Sequence, residues 1–417
     1  MSDTSASSSL KRDYFWNTAY SLMQSVATVV MLIVVTRVLG IEIAGLYSLA
    51  IAVGQQFQTL GMFEVRTYHV TDASGKFTFG TYHAARILTV VAMIIGIAGY
   101  AVVSGDGLCA VMLMILVASI RVFDAFEDVY YCELQRSGHL DIAGRAGFWR
   151  TFVTTAVFSV GLVVTQNLWI TVIATLVASL VAMIVLFIPQ SVRLFAFKPL
   201  WTKREISALL IDCLPLALAS FISMYLANAP RFGIDRYLGL TEQGIFAILY
   251  MPAVAINLLA LVVFRPLLTQ MAHHWVRHNW SGFVGIMRRG LTATAGAFVA
   301  VAIVTYFIGV PILNLVFGKD IAPYRTELIV LVFGGAMNSA SVILYYAITT
   351  MRQQKLVFVG YAVSALTIAA LVPILIPHYQ IMGASIAYGI AMTVLSMIFG
   401  FVLVANRDKK AVEQYRI

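Results

Sequence analysis

The sequence has little charge. Charged types make up 11% of its 417 residues, against roughly 25% in a soluble domain. Apolar types make up 60%, and that balance excludes an ordinary solvated globule. Cysteine is scarce: Cys109, Cys132 and Cys213 are the only ones, and they supply no disulfide framework. Cys109 and Cys132, read as near the two ends of one helix, would lie about 35 Å apart at ~1.5 Å per residue, too far to bond. No GxxxxGK[ST] loop appears, which excludes ATP use by this chain, and neither HExxH nor GxSxG appears. His69, His83 and the histidines of "HHWVRH" (His273, His274, His278) have no acidic or cysteine ligand placed with them, so no metal site and no cofactor is expected. No small-residue cleavage site follows the first apolar run, which reads as an uncleaved span.

What the chain does have is apolar length. Runs such as 328–351 carry no charge, and roughly 20 apolar residues cross the hydrocarbon core. The pattern predicts an all-α polytopic membrane protein with helices near 14–38, 45–65, 86–104, 108–131, 148–165, 168–188, 208–228, 244–268, 289–310, 325–350, 356–376 and 381–405. The connections alternate between short, nearly uncharged turns ("SGDG", "TQNL", "PHYQ") and longer basic loops. The 28 Lys and Arg fall almost entirely on the basic set, which the positive-inside rule places in the cytoplasm with both termini. The exceptions are Arg37, Arg231, Arg236, Lys319 and Arg325 at the other side, and Arg121 within a helix. The net charge of +9 follows from this bias and from anionic inner-leaflet lipid. Nucleic acid is excluded as a partner, since no basic soluble domain exists to carry it. The longest outer connection, about 229–243, is too short to house a catalytic domain, so a transporter is expected and not an enzyme.

Half a chain apart, "RVLGIEIAGLY" (37–47) and "RYLGLTEQGIF" (236–246) repeat one another. Without a gap, the same offset matches Asp13 with Asp212, Leu39-Gly40 with Leu238-Gly239, Gly45 with Gly244, Gln58 with Asn257, Leu60 with Leu259 and Arg66 with Arg265. The chain therefore reads as a cytoplasmic tail (1–13), a six-helix bundle (14–190), a cytoplasmic linker (191–207), a second six-helix bundle (208–405) and a cytoplasmic tail (406–417). An even number of helices per half gives both halves the same orientation, related by an axis along the membrane normal, with a cavity expected between them. Arg37 and Arg236 become a symmetry-related pair at the outer corners, where interfacial anchoring by snorkelling is the competing account. The glycines after them are expected to let the chain reverse.

Polar groups stand out within the apolar helices. Asn17, Ser21, Gln24 and Thr28 share one face of the first helix, either to bond neighbouring helices or to line the cavity. In "RVFDAFEDVYY", Arg121, Asp124, Glu127 and Asp128 fall within roughly a 120° arc at ~100° per residue. Each ionisable group near the bilayer centre costs roughly 2.5–3.5 kcal/mol on insertion scales, so one arginine among three acids points to a paired network. It serves either to lock the bundle or to handle a substrate or ion. "NAPRFGIDRYLG" places Arg231 and Asp235 at i,i+4, with Arg236 next. The segment 64–86, rich in aromatics, His and both charge signs, reads as a loop at a vestibule or at the membrane surface.

These stretches carry a resemblance. "TRVLG…AGLYSLA", "VRTYHVTD", "FDAFEDVYYCELQRSGHLDIAGR" and "APRFGIDRYL…GIFAILYMPAVAINLLALVVFRPLL", in this order and over nearly the whole chain, resemble the polysaccharide flippase family. These are the O-antigen, capsule and exopolysaccharide repeat-unit exporters of the multidrug/oligosaccharidyl-lipid/polysaccharide (MOP) superfamily. The resemblance implies a MATE-like fold and a bacterial inner-membrane protein moving an undecaprenyl-pyrophosphate-linked oligosaccharide to the outer leaflet. Glycosyltransferases and a polysaccharide polymerase would work beside it. Drug exporters of the superfamily couple to H⁺ or Na⁺ through intramembrane acids. The first helix here has no acid in its membrane part, so that coupling site does not carry over. Arg37, Arg66, Arg121, Arg231, Arg236 and Arg265, with Asn17 and Gln24, are the candidate substrate contacts. Arg121 leads as the deepest, because guanidinium forks match phosphate oxygens. Asp124, Glu127, Asp128 and Asp235 are the candidate pairing or coupling acids. A drug or small-molecule antiporter on the same scaffold is the competing class, and the arginines argue against cationic drugs.

Overall fold

A computed structural model describes residues 2–72, 75–104, 107–195, 198–264 and 267–406. Among these residues every regular element is a helix. Helix α1 (Ser2–Leu39) contains no Gly or Pro, and nothing in it stops the backbone ladder. The helix accordingly starts at Ser2, where the sequence suggested a tail. Gly40 ends it at φ 92, a left-handed value that disfavours any residue with a Cβ. Helix α2 (Ile41–Met62) follows. Its repeat counterpart differs: Gly239 has φ −174 and ψ −179, extended backbone open to any residue. Only one of the two corner glycines is therefore required by the turn.

Phe63 and Glu64 turn the chain through two successive positive φ values into α3 (Val65–Thr71). Helices α4 (Phe79–Ser104), α5 (Leu108–Ala118) and α6 (Ile120–Arg136) come next. The expected loop over 64–86 is thus largely helical. Cys109 and Cys132 lie on separate helices, α5 and α6, that meet at Ser119. Helix α7 (Leu140–Thr165) leads to α8 (Leu168–Leu186), whose amino end is capped by Asn167 Oδ1 accepting from Trp169 N at 2.9 Å and Ile170 N at 3.3 Å. Short α9 (Ile188–Leu194) precedes the long α10 (Lys203–Tyr237).

Helices α11 (Leu240–Leu249) and α12 (Met251–Phe264) divide at Tyr250, just before Pro252. Helix α13 (Leu268–Val276) is short, and α14 (Trp280–Val304) runs through a π-helical turn (Thr305–Gly309) into α15 (Val310–Phe317). Helix α16 (Arg325–Thr350) and the 52-residue α17 (Gln354–Ala405) complete the chain, α17 being broken at Gln380 (φ 51, ψ −129) beyond Pro373 and Pro377.

Among the described residues nine helical spans, with α5–α6, α8–α9 and α14–α15 each counted as one, are long and apolar enough to cross a membrane. The break at Gln380 divides one of them into two legs, and α2 and the pair α11–α12 complete the expected set of twelve. Helices α4, α7 and α14 begin seven to nine residues earlier than apolarity alone suggests, at Phe79, Leu140 and Trp280. Their first turns are charged and aromatic, so hydropathy misses them while the helical ladder continues.

Residue contacts divide the chain into two compact units, Met1–Met224 and Tyr225–Ile417, with the division falling inside α10. In the first unit an aromatic core of Phe77, Phe79, Tyr82, Tyr130, Tyr131 and Phe187 gathers at the end that carries the basic loops. Two close approaches set helix positions there. A Cβ on Gly144 would lie 2.8 Å from the Trp16 carbonyl carbon, which brings α7 against the backbone of α1. A Cβ on Gly54 would lie 2.8 Å from the Ala118 carbonyl oxygen and 3.1 Å from Arg121 Cγ, which brings α2 onto the α5–α6 junction. In the second unit Ile256, Val332 and Ala336 form a buried nucleus. Large apolar side chains such as Ile95, Val102, Val164, Leu366 and Phe401 point outward, as they must where the surrounding solvent is lipid.

Candidate functional site

Helix α6 holds its acids within the first unit. Asp124, Glu127 and Asp128 are spaced three, four and one residues apart and face α1, α4 and α7. They meet more cations than α6 itself supplies. Arg150, on α7, binds Asp124 through Nη2 and Glu127 through both Nε and Nη2, the last at 2.8 Å. Arg86, on α4, donates from Nη2 to Asp128 Oδ2 at 2.7 Å and from Nη1 to the Gly61 carbonyl at 2.6 Å. Both guanidiniums are almost fully enclosed, with side chains 3% and 0% exposed. The two remaining arginines hold more loosely. Arg121 reaches Asp124 Oδ2 at 3.1 Å and Thr28 Oγ1 at 3.3 Å. Arg66 reaches Asp128 Oδ1 and Gln135 Oε1, both at 3.1 Å, and lies over the Tyr131 ring at 4.8 Å. Their side chains are 16% and 47% exposed.

The expectation of one arginine serving three acids is therefore corrected. Arg121 pairs with Asp124 alone; Glu127 belongs to Arg150, and Asp128 belongs to Arg86 and Arg66. Four guanidiniums face three carboxylates, and the cluster keeps one positive charge in excess. Arg86 and Arg150 stand at the very start of the spans expected from apolarity, 86–104 and 148–165, and so read as membrane-edge cations; α4 and α7 begin seven and eight residues earlier, which sets both arginines inside a helix. The surplus of acids over arginines in α6 was the signal that neighbouring helices had to supply cations, since buried charges are paired.

Next to this cluster is a small cavity that opens to the surface. Gln24, Thr28, Tyr47, Arg121, Asp124, Arg150 and Thr151 line it, among others. Arg121 Nε and Thr151 Oγ1 are buried with no hydrogen-bond partner. An unmet guanidinium N–H beside a hydroxyl is a donor set for an anionic oxygen. Gln24 Nε2 donates to Tyr20 Oη at 2.7 Å, and Tyr20 Oη donates to Glu127 Oε1 at 2.6 Å. The polar face of α1 thus divides: Gln24 and Thr28 line the cavity, while Asn17 accepts from the Tyr131 hydroxyl. Tyr20, between Asn17 and Gln24 on that face, is a participant the sequence pattern missed.

The other expected contacts are not among the residues that line the cavity. Arg37 and Arg236 are exposed in the last turns of α1 and α10, with Arg236 over the Tyr237 ring at 5.8 Å. Arg265 lies outside the described residues. Arg231 and Asp235, spaced i,i+4, do not pair with each other. It donates from Nη1 to Asn228 Oδ1 at 3.2 Å and lies over the Tyr250 ring at 5.1 Å. Among the described residues no cluster of His, Cys or acids is arranged for a metal ion. On α3, His69 is buried, stacks on Tyr82 at 4.0 Å, and meets Glu133 Oε2 through Nε2 at 2.6 Å. Burial lowers its pKa below the usual histidine value, and Glu133 offsets this only in part.

No protein-family profile matches the chain. The capsular polysaccharide biosynthesis protein CapF of Staphylococcus aureus is 20% identical over 381 residues, which cover 90% of this chain and 94% of that protein. Among solved structures, the lipid II flippase MurJ in an inward closed conformation matches with a TM-score of 0.72 and 14% identity, covering 92% of this chain and 87% of that one. A MOP superfamily transporter from Pyrococcus furiosus matches with a TM-score of 0.59 and 15% identity over 96% of both chains. The Vibrio cholerae MATE transporter VcmN in its bent form matches with a TM-score of 0.58 and 14% identity, over 96% of this chain and 98% of that one. The chain has the helical fold of MOP-superfamily membrane transporters.

Proposed function

We propose that this chain flips an undecaprenyl-pyrophosphate-linked oligosaccharide repeat unit from the inner to the outer leaflet of the bacterial cytoplasmic membrane, by alternating access. The observation that carries the reading is Arg121. Its carboxylate partner Asp124 is also bound by the enclosed Arg150, so Arg121 can release Asp124 to a phosphate without leaving a bare buried charge. Its Nε already has no partner, and it lines a cavity with threonine hydroxyls. A pyrophosphate offers the oxygens such a fork binds, and the polyprenyl tail would remain in lipid. The similarity to a capsular polysaccharide biosynthesis protein and the fold match to a lipid II flippase support a lipid-linked substrate made by glycosyltransferases and consumed by a polymerase. Arg66, half-exposed at the basic end with a second acid already held by Arg86, would meet the headgroup first. Coupling to H⁺ or Na⁺ is not required by this scheme.

Export of the surface polysaccharide should be restored in a strain lacking this gene by the parent chain and lost with Arg121→Ala, at equal membrane content. Arg121→Lys should rescue only in part, since a point charge lacks the bidentate fork. Full export by Arg121→Ala would sink the reading. If Asp124→Asn abolishes extrusion of a cationic drug by the same cells, the antiporter alternative takes its place.

A further inference from the structure

Arg231, in the second unit, has a guanidinium that meets no carboxylate among the described residues. Among the described residues no acid comes within ion-pair distance of Arg231 on α10; Asp235, one turn on, does not pair with it. The side chains that contact it are neutral. Asn228 Oδ1 accepts from Nη1 at 3.2 Å, and the guanidinium lies 5.1 Å from the centre of the Tyr250 ring. Its Nε–H is buried without an acceptor. Tyr250 and Tyr388 share a hydrogen bond between their hydroxyls at 3.1 Å, their rings meeting edge to face at 5.4 Å. Whichever hydroxyl donates in that pair, the other keeps a proton to give. Tyr388 is 1% exposed, and Gly233, two residues after Arg231, is packed against Val372 and Ile376.

The contrast with the first unit is direct. There the enclosed guanidiniums of Arg86 and Arg150 each answer a carboxylate. Here a cation, its free Nε–H and a spare hydroxyl proton sit together with no negative partner. Arg231 is half-buried with its Nε enclosed; a tyrosine face recovers only part of the desolvation cost of such a cation, and desolvated charges are otherwise paired. A donor set of this kind lacks one component, an anion.

We propose that Arg231, with the paired hydroxyls of Tyr250 and Tyr388, forms a buried site for a small anion: a halide, or an oxygen of a phosphate group. It lies in a different unit from the Arg121 cavity, and it does not depend on which lipid the chain carries. The bound anion would receive hydrogen bonds from Arg231 Nε–H and a tyrosine hydroxyl, with the Tyr250 ring beneath the guanidinium.

The test uses the full-length chain in detergent micelles with Arg121→Ala as background, so that the first unit's cavity does not contribute. Thermal unfolding midpoints are measured in sodium gluconate and then titrated, at constant ionic strength, with chloride, inorganic phosphate and geranyl pyrophosphate. At least one of the three should raise the midpoint saturably. Arg231→Gln should abolish that rise and also raise the anion-free midpoint, because it removes a half-buried cation whose enclosed Nε–H has no acceptor. A merely structural arginine would lower the midpoint instead. Tyr250→Phe together with Tyr388→Phe leaves no hydroxyl proton to give and should weaken the response by about tenfold, as loss of a charge-assisted hydrogen bond does. A response to chloride or phosphate identifies a free inorganic anion as the ligand; a response to geranyl pyrophosphate alone identifies a substrate headgroup. Indifference to all three anions overturns the proposal, and so does an Arg231→Gln chain that responds like its parent or unfolds at a lower anion-free midpoint.

Discussion

Arg150 and Arg121 share Asp124, yet their removal should differ in kind. Arg150→Ala would leave Glu127 with only the Tyr20 hydroxyl and Asp124 with only Arg121. Breaking one side of a buried ion pair costs about 3–5 kcal/mol, so the purified chain should unfold at a markedly lower temperature. Adding Glu127→Gln should recover part of the loss by neutralising the stranded acid. Arg121→Ala leaves Asp124 bound to Arg150 and should cost about 1 kcal/mol or less, as for a partly exposed pair. Equal destabilisation by the two substitutions would refute the division into fixed and exchangeable arginines. This division was not legible beforehand. The sequence shows that both residues are arginine; which one is enclosed depends on where α7 starts and on how closely Gly144 and Gly147 let it approach α1, against Trp16 and Tyr20.

At the scale of elements, α3 shows how a short helix is pinned at the basic end. His69 anchors it by stacking on Tyr82 and bonding Glu133, while Arg136 and Arg86 nearby disfavour its protonation. The sign follows from the lowered pKa. The unfolded segment takes up a proton near the usual histidine value of about 6.5, whereas the folded one resists until lower pH. The stabilisation is therefore complete above that value and is lost as pH falls through the depressed folded pKa. Amide exchange protection across Val65–Thr71 should fall between pH 7 and pH 5, and His69→Gln, which keeps a donor for Glu133, should flatten that dependence. Protection that stays constant in the parent chain would contradict the anchoring role. Sequence pattern placed His69 in a loop because the segment is too polar for a span and too short for a clear helical period. Only packing against α6 and the amino end of α4 makes it regular.

For the whole molecule, the proposed cargo sets an electrical expectation. A pyrophosphate carrying about two negative charges gains roughly 4–5 kcal/mol per 100 mV on moving out of an inside-negative compartment, if uncompensated, at about 2.3 kcal/mol per charge. Flipping in proteoliposomes should then respond to an imposed potential with no pH gradient present. A rate indifferent to potential would show that the headgroup crosses as a neutral assembly, or that another gradient drives it.

Periodicity and apolar length by themselves determined that the chain is helical and that it spans a membrane about twelve times. These properties follow from one-dimensional facts: roughly 20 apolar residues reach across the hydrocarbon core, and backbone polar groups in lipid must be satisfied within each helix. The tertiary structure alone decided which charges meet. Asp124, Glu127 and Asp128 were visible as a costly group on one helix. Their partners Arg86 and Arg150 came from helices 42 and 23 positions away in sequence, and Arg231 passed over the acid one turn along its own helix. Ion pairing in a low-dielectric interior depends on distances of a few ångströms between helices. Close-packed glycines and helix starts set those distances, and hydropathy does not register them.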